Sequence, residues 1–170
     1  MELRDDELVL RPLGLGDLDA VVAACADPEI PRFTLLVPSP YTEADGRAFL
    51  THVTSEWAQG APNRTFGITT AGEFLGVVSV DLEGGMVGYW MKREARGRGW
   101  MTRAVILVVA WTREQGVDRV FLTTHPDNVS SQRVAEKAGF RRVGIVDEPR
   151  GFRDGTTKAV LFELARAQEP

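Results

Sequence analysis

The stretch Arg96-Gly97-Arg98-Gly99-Trp100-Met101-Thr102 is the strongest local signal in the chain. It follows a short apolar segment with strand character and precedes a longer one, residues 102–115, whose length favours a buried helix. Successive backbone N–H groups in a glycine-rich turn before a helix N-terminus form an anion-binding site. Arg96 and Arg98 add positive charge, which suits a phosphate. The stretch therefore predicts a phosphate-binding loop, and the alternative is an ordinary exposed basic turn.

Two common nucleotide motifs fit this loop poorly. A Walker loop needs the pattern G-x-x-x-x-G-K-[ST], which the chain lacks. A dinucleotide loop needs G-x-G-x-x-G, and its third glycine position is Thr102 here. The loop also follows a series of predicted antiparallel strands rather than an early βαβ unit. Both nucleotide-binding interpretations are therefore disfavoured.

Upstream of the loop, the pattern predicts one strand, two helices and a three-stranded meander. The breaks in the meander, Ala71-Gly72-Glu73 and Glu83-Gly84-Gly85, have the glycine-rich chemistry of hairpin turns. Residues 30–41 contain three prolines and are predicted to form a long irregular loop. The predicted elements are a strand at residues 8–13, helices that begin near Gly16 and after Thr42, and strands at residues 64–70, 74–82 and 86–91.

Downstream of the loop, helices and strands alternate. The predicted elements are a helix at residues 102–115 with Thr102 as its cap, a strand at residues 119–124, a helix at residues 129–138, and strands at residues 142–146 and 157–163. The full order is β α α β β β α β α β β, which places parallel strands beside antiparallel ones. The sequence therefore predicts an α/β fold, with one domain over residues 1–170 and a mixed, strongly twisted central sheet of about seven strands that carries helices on both faces.

Length and charge limit the function classes. A chain of 170 residues is expected to form one domain, and 44% hydrophobic with 26% charged residues is typical of a globular protein. The formal net charge is −4, so no nucleic-acid partner is expected. The longest apolar run, residues 104–111, is far shorter than a membrane span, and the acidic N-terminus does not resemble a secretion signal. A cytoplasmic protein with no membrane partner is the expectation.

The cysteine and histidine content argues against metal and disulfide chemistry. The chain has one cysteine, Cys25, and two histidines. One cysteine cannot form an internal disulfide, and this inventory is poor for a zinc site. No metal is therefore expected.

Three motifs in the same order resemble the GNAT family of N-acetyltransferases. The pattern R-x-x-G-x-[GA], which begins at Arg96, is similar to the family's coenzyme A pyrophosphate loop. Residues 128–140 resemble the family's N-x-x-S … EK-x-GF segment. Val87-Gly88-Tyr89-Trp90 and Leu10-Arg11-Pro12-Leu13 look like the branch that includes the ribosomal-protein N-terminal acetyltransferases. The resemblance covers about residues 8–164 and implies a single GNAT-like domain.

The resemblance implies acetyl-CoA as co-substrate and gives each matching segment a role. Asn128 would hydrogen-bond the pantetheine arm, although a helix N-cap alone would also explain it. Ser131 would lie near the sulfur. The backbone of Tyr89, Trp90 and Met91 would pair with the pantetheine arm, and the pyrophosphate would be held by Arg96, Gly97, Arg98, Gly99, Trp100, Met101 and Thr102.

Two positions depart from the family pattern. The last position of the loop motif is usually glycine or alanine but is Met101 here, so its side chain must point away from the pyrophosphate. Many members carry a tyrosine seven residues after the asparagine as general acid towards the departing thiolate, and that position is Ala135 here. The predicted catalytic acid is therefore Ser131, as in the ribosomal-protein branch, or Ser131 only hydrogen-bonds the sulfur.

The general base is less well defined by sequence. Similar enzymes supply a carboxylate from the arm between the last two strands, residues 147–157, which makes Glu148 the predicted catalytic carboxylate and a solvated loop carboxylate the alternative. A histidine can act as a general base, but the turn that holds His125 is expected to face away from the thioester, so water is the other candidate. A backbone N–H near Met91 is the predicted oxyanion donor.

The predicted function is an N-acetyltransferase that moves an acetyl group from acetyl-CoA to a primary amine by direct attack in a ternary complex. The acceptor would be a protein N-terminus or a small-molecule amine. A non-catalytic acyl-CoA-binding or regulatory module on the same scaffold is the alternative. Acceptor specificity is expected to depend on residues 30–41 and 147–157, because loops vary freely. The acceptor, the acyl length and the oligomeric state, monomer or homodimer, stay open.

Overall fold

Eight β-strands and five α-helices form residues 1–165, the part of the chain that this computed structural model describes. The strands are β1 (Leu3–Asp5), β2 (Leu8–Pro12), β3 (Asn63–Thr70), β4 (Glu73–Asp81), β5 (Val87–Met91), β6 (Val120–Thr124), β7 (Arg141–Asp147) and β8 (Lys158–Leu164). The helices are α1 (Leu18–Cys25), α2 (Glu29–Phe33), α3 (Glu43–Gln59), α4 (Trp100–Glu114) and α5 (Val129–Lys137). The order agrees with the predicted series apart from two additional elements, β1 and α2.

The strands form two sheets that meet at one point. The larger sheet is antiparallel in the order β1-β2-β3-β4-β5, and the smaller one is antiparallel in the order β6-β8-β7. A parallel bridge between Met86 and Phe121 joins them, and the N–H of Phe121 donates to the carbonyl of Gly85 at 2.8 Å. The predicted GNAT-like α/β fold is confirmed, with the parallel contact reduced to this bridge. The eighth strand is β1, which the acidic turn Asp5-Asp6-Glu7 separates from β2.

Helices cover both faces of the larger sheet, as predicted. Buried residues of α4, such as Val105 and Val108, share one core with alternate residues of the strands, such as Ile68 and Val78. Helices α1 and α3 form a second core on the opposite face, where Val21, Leu50 and Val53 pack with Phe74 and Val77. None of the helices within residues 1–165 is long and apolar enough to cross a membrane.

The ends of α3 follow the sequence rules for helix caps. The Thr42 hydroxyl accepts from the N–H of Asp45 at 3.2 Å, and the Asp45 carboxylate accepts from the N–H of Thr42 at 2.8 Å. Gly60 ends the helix with a left-handed φ of 67°. The predicted helix after Thr42 is therefore confirmed with its caps.

Most predicted boundaries agree with the structure to within one residue, and two features differ by more. Helix α4 begins at Trp100 rather than at Thr102, because Gly99 adopts a left-handed φ of 81° and turns the chain into the helix directly. Residues 30–41 are not wholly irregular, because α2 occupies their start. The Asp27 carboxylate accepts from the N–H of Glu29 at 3.2 Å and Pro28 precedes the helix, so the Asp-Pro pair begins α2 as well as ending α1.

Candidate active site

A cavity of about 590 Å³ lies where the two sheets diverge. Its walls are β5, the end of β6, the glycine-rich loop, the start of α4, α5 and α2. Arg98 belongs to the loop but does not line the cavity, and its side chain is exposed. The other residues predicted to bind the cofactor all line it: Tyr89, Trp90, Met91, Arg96, Gly97, Gly99, Trp100, Met101, Thr102, Asn128 and Ser131.

The edge of β5 that borders the cavity offers free backbone groups. The N–H of Lys92 donates to the carbonyl of Leu75 at 2.8 Å, so the backbone of Lys92 points towards β4. Backbone groups alternate between the two edges of an antiparallel strand, so those of Tyr89 and Met91 point the other way. That edge faces the gap between the sheets, where an extended ligand chain can pair as an added strand.

The glycine-rich loop presents backbone N–H groups to the cavity. Gly97 and Gly99 have φ values of 77° and 81°, and an added Cβ at either position would meet nothing within 4 Å. The first turn of α4 leaves its N–H groups without intrahelical partners, and the helix dipole adds positive potential there. The Met101 side chain is 7% exposed and packs into the main core, so it leaves this space open. The loop can therefore hold an anion.

Protein groups already hold the Arg96 side chain. Its Nε donates to the carbonyl of Met91 at 3.0 Å, and its Nη2 lies 2.7 Å from the Asp27 carboxylate. The same carboxylate accepts from Arg93 at 2.8 Å. Burial alone would raise the pKa of Asp27, but the hydrogen bond from Arg93 and the charge of Arg96 outweigh it and keep the pKa below its usual value. Arg96 thus fixes the loop to β5, and the loop backbone is the part that faces an anion.

Three polar side chains meet at the start of α5. The Asn128 Oδ1 accepts from the N–H of Ser131 at 3.1 Å, which caps the helix and leaves the Asn128 amide nitrogen available as a donor. The Ser131 Oγ lies 3.0 Å from the phenol oxygen of Tyr89, which is also 3.2 Å from the Ser131 carbonyl. Burial raises the pKa of Tyr89 to about 12, although the hydrogen bond with Ser131 lowers it. The sequence motif identified Tyr89 only for its backbone, and no local signal predicts this contact across 42 residues.

The structure does not bring Glu148 to the cavity. Its Oε1 accepts from the N–H of Arg150 at 3.3 Å, within a turn of the arm between β7 and β8. The cavity walls include no residue of that arm within the described chain. The carboxylates that do line the cavity are those of Glu29 and Asp127. The spacing along a long arm does not fix where its side chains point, so the sequence alone could not show whether Glu148 lies at the cavity.

His125 belongs to a cluster with Asp127 and Asp154 whose possible metal-ligand atoms lie within 4.8 Å of one another. Both ring nitrogens are already engaged. The Nδ1 accepts from the N–H of Asp127 at 3.0 Å, so the proton of the neutral ring is on Nε2, which donates to Asp154 at 3.0 Å. His125 is 2% exposed and packs edge-on against Phe152 at 4.6 Å. It therefore ties the arm to the end of β6 and offers no ring nitrogen to a metal or an amine.

Helix α2 closes the other end of the cavity. Glu29, Ile30, Arg32 and Phe33 line it, and Glu29 and Arg32 form an ion pair at 3.3 Å. The arm reaches this helix through Arg153, which donates to the carbonyls of residues 31 and 37 at 3.1 and 2.8 Å. The arm thus holds this wall of the cavity in place through the two hydrogen bonds from Arg153.

The fold and the site together define a class of protein. An anion-binding loop and an open strand edge share one cavity with a helix cap and a serine, which suits a ligand that joins a phosphate to an extended amide chain, as coenzyme A does. The class is that of the CoA-dependent acyltransferases.

Comparison with known proteins identifies the family. A family model for the acetyltransferase (GNAT) domain matches residues 7–141. The chain therefore belongs to the GNAT acetyltransferase family, and it is an acetyl-CoA-dependent N-acetyltransferase with acetyl-CoA as co-substrate. A curated relative, the probable N-acetyltransferase YjcK of Bacillus subtilis (strain 168), is 28% identical over 154 residues, which cover 84% of this chain and 85% of the relative. The prediction of the family and of the enzyme class is confirmed.

Solved structures with low sequence identity share the fold. One is RimL, a ribosomal L7/L12 alpha-N-protein acetyltransferase in complex with coenzyme A, with a TM-score of 0.87, 15% identity and coverage of 99% of this chain and 100% of that one. Another is the microcin C7 self-immunity acetyltransferase MccE, in complex with acetyl-CoA and AMP. Its TM-score is 0.83 and its identity 18%, and the match covers 95% of this chain and 93% of MccE.

Proposed function

We propose that the protein transfers the acetyl group of acetyl-CoA to the primary amine at the N-terminus of a peptide or protein. The observation that carries this proposal is the continuity of the cavity, in which the glycine-rich loop, the open edge of β5, Ser131 and α2 border one space. Both substrates fit side by side in such a space, so the amine attacks the thioester directly. Cys25 is 3% exposed, and burial raises its pKa to about 12, so this thiol does not carry the acetyl group as an intermediate.

Acetyl-CoA would lie with its pyrophosphate on the backbone N–H groups of the loop and the first turn of α4. Its pantetheine arm would pair with the free backbone groups of Tyr89. The Asn128 amide nitrogen would donate to a carbonyl of the same arm. This arrangement directs the thioester towards Ser131, at the point where the two sheets diverge.

The reaction forms a carbon–nitrogen bond and breaks the carbon–sulfur bond of the thioester. The N–H of Met91 points into the gap and would donate to the oxyanion of the tetrahedral intermediate. The Ser131 hydroxyl would donate to the sulfur as it leaves. The amine gives up one proton, and water at the open end of the cavity accepts it, because Glu148 lies outside the cavity walls.

The charge at the α2 end favours a peptide N-terminus over a polycation. A polyamine would prefer a site with a net negative field, whereas this wall presents Glu29 and Arg32 as a pair. A carboxylate suits the terminal amine of a peptide and an arginine suits its carbonyl groups. The similarity to RimL, a ribosomal L7/L12 alpha-N-protein acetyltransferase, supports the same class of acceptor.

Thiol release from acetyl-CoA with matched acceptors tests the proposal. We expect release with peptides that have a free N-terminus and none with the same peptides blocked by N-terminal acetylation. Mass spectrometry should place the new acetyl group on the α-amine. Release with lysine side chains, polyamines or aminoglycosides alone would contradict the proposed acceptor. No release with any amine, despite tight CoA binding, would instead support the non-catalytic alternative.

A further inference from the structure

Tyr89 places a half-buried phenol against Ser131. The ring comes from β5 and the serine from the first turn of α5, and the two oxygens lie 3.0 Å apart. The phenol oxygen is also 3.2 Å from the Ser131 carbonyl. Both residues line the cavity, so this contact joins two of its walls.

No other tyrosine is placed to supply a phenol here. Position 135 lies one helical turn after Ser131 on the same face of α5, and Ala135 there is fully buried in the main core. The Tyr89 ring packs against this core. The only other tyrosine of the chain, Tyr41, lies in the segment before α3. The phenol beside the serine therefore comes from β5 and not from α5.

The hydrogen-bond count at this contact allows two arrangements. In the first, the phenol donates to the Ser131 carbonyl and the Ser131 hydroxyl donates to the phenol oxygen. A carbonyl oxygen only accepts hydrogen bonds, whereas a serine hydroxyl accepts and donates and its hydrogen rotates freely. The high pKa of Tyr89 keeps the phenol protonated at neutral pH, so it has one proton to donate. In the second arrangement that proton goes to the Ser131 Oγ, and the serine's own hydrogen is free to point into the cavity. Without the phenol, nothing in the described structure fixes this orientation.

We propose that Tyr89 is a positioning residue, which acts through Ser131 and donates to its Oγ so that the serine hydroxyl points at the thioester sulfur. The inference rests on the proposed function. As the carbon–sulfur bond breaks, the Oγ–H bond of Ser131 breaks and an S–H bond forms. The proton lost by the attacking amine returns to Ser131 through water, and Tyr89 keeps its own proton throughout.

A double-mutant cycle in steady-state kinetics tests this role. We expect Ser131→Ala to lower kcat at least about tenfold and Tyr89→Phe to lower it about tenfold, with little change in the KM for acetyl-CoA. The double variant should turn over no more slowly than Ser131→Ala alone, because Tyr89 acts through Ser131. Thr112→Val is the control, since it removes a buried hydroxyl, bonded to the Val108 carbonyl at 2.7 Å, from the last turn of α4. Its kcat should not change.

Two kinetic outcomes would overturn the proposal. One is an unchanged kcat in Tyr89→Phe. The other is the same fractional loss from Tyr89→Phe whether or not Ser131 is present, which would mean that the phenol acts independently of the serine.

A binding measurement decides the question without turnover, so failure of the proposed acceptor stays distinguishable. We expect calorimetry to show that the wild-type protein binds CoA about threefold more tightly than desulfo-CoA, because the serine contacts the sulfur. Ser131→Ala and Tyr89→Phe should each remove this preference, and the double variant should add nothing. A preference that persists in Tyr89→Phe, or its absence from the wild-type protein, would overturn the proposed positioning role.

Discussion

Gly99 is the single residue on which CoA binding should depend most. It turns the chain into α4 with a φ of 81°, and the space in front of its Cα is open. Gly99→Ala would place a methyl group in that space and strain the backbone whose N–H groups face the pyrophosphate, at a cost of about 1–2 kcal/mol in strain alone. We expect the Kd for CoA to rise at least about tenfold in isothermal titration calorimetry.

Gly116 provides the matched control. It follows the other end of α4 with a φ of 88°, and an added Cβ there would also meet nothing within 4 Å. Gly116→Ala should lose about as much stability as Gly99→Ala and bind CoA normally. If both variants bind CoA equally well, the loop does not hold the pyrophosphate.

Sequence motifs identified eleven of the residues that line the cavity. Asn128 and Ser131 were predicted from the resemblance to the family's N-x-x-S segment, and the helix cap explains why they lie together. The phenol of Tyr89 could not be predicted this way, because its contact with Ser131 depends on how β5 and α5 pack. Glu148 shows the same limit, since nothing local fixes the direction of a side chain in a long arm.

Arg153 is the link through which the arm between β7 and β8 should influence catalysis. Its guanidinium donates to two carbonyls, in α2 and in the segment after it, at 3.1 and 2.8 Å. Arg153→Ala removes both bonds and frees the α2 wall of the cavity. We expect the KM for the acceptor to rise about three- to tenfold and the Kd for CoA to stay unchanged. A hydrogen bond to a charged group contributes about 1.5–3 kcal/mol, and relaxation of the α2 wall recovers part of that free energy.

Arg150 lies in the same arm and serves as the control. Within residues 1–165, Arg150 forms a hydrogen bond only through its backbone N–H. Arg150→Ala therefore removes the same charge as Arg153→Ala but leaves the hydrogen bonds to α2 intact. Steady-state kinetics with varied acceptor should show an unchanged KM for Arg150→Ala. An equal rise of the acceptor KM in both variants would indicate that the charge of the arm matters, rather than the two hydrogen bonds from Arg153.

Elements with strong end signals were predicted well, and those without them were missed. The capping box at Thr42 and Asp45 with the left-handed Gly60 placed α3 correctly. The short α2 was not predicted, because the prolines of residues 30–41 favoured an irregular loop. The Asp27-Pro28 pair that begins this helix is nevertheless present in the sequence. The start of α4 was placed two residues late because Thr102 resembles a cap, whereas the left-handed Gly99 performs the turn.

At the scale of the whole molecule, the site exists because the two sheets separate beside β5. The element order predicted a mixed sheet, but it did not show that parallel contact would shrink to one bridge at Met86 and Phe121. That geometry depends on tertiary packing. The α4 and α5 helices and the strands share one core, in which Val87 of β5 and Val120 of β6 are both buried. The cavity lies next to this bridge along β5, so we expect a change at the bridge to affect both the stability of the fold and the binding of CoA.

Gly85 should therefore be the position where one methyl group most disturbs the whole molecule. It accepts from the N–H of Phe121 at 2.8 Å, and a Cβ added there would lie 2.2 Å from the carbonyl oxygen of Arg119. Gly85→Ala must push β5 and β6 apart, and we expect it to destabilise the fold by about 3 kcal/mol and to weaken CoA binding.

Gly72→Ala is the control. Gly72 lies in the β3–β4 turn with a φ of 81°, and an added Cβ there would meet nothing within 4 Å. This variant should lose only about 1 kcal/mol of stability and bind CoA normally. Urea unfolding and calorimetry compare the two variants, and equal losses of stability would show that the bridge does not hold the two sheets together.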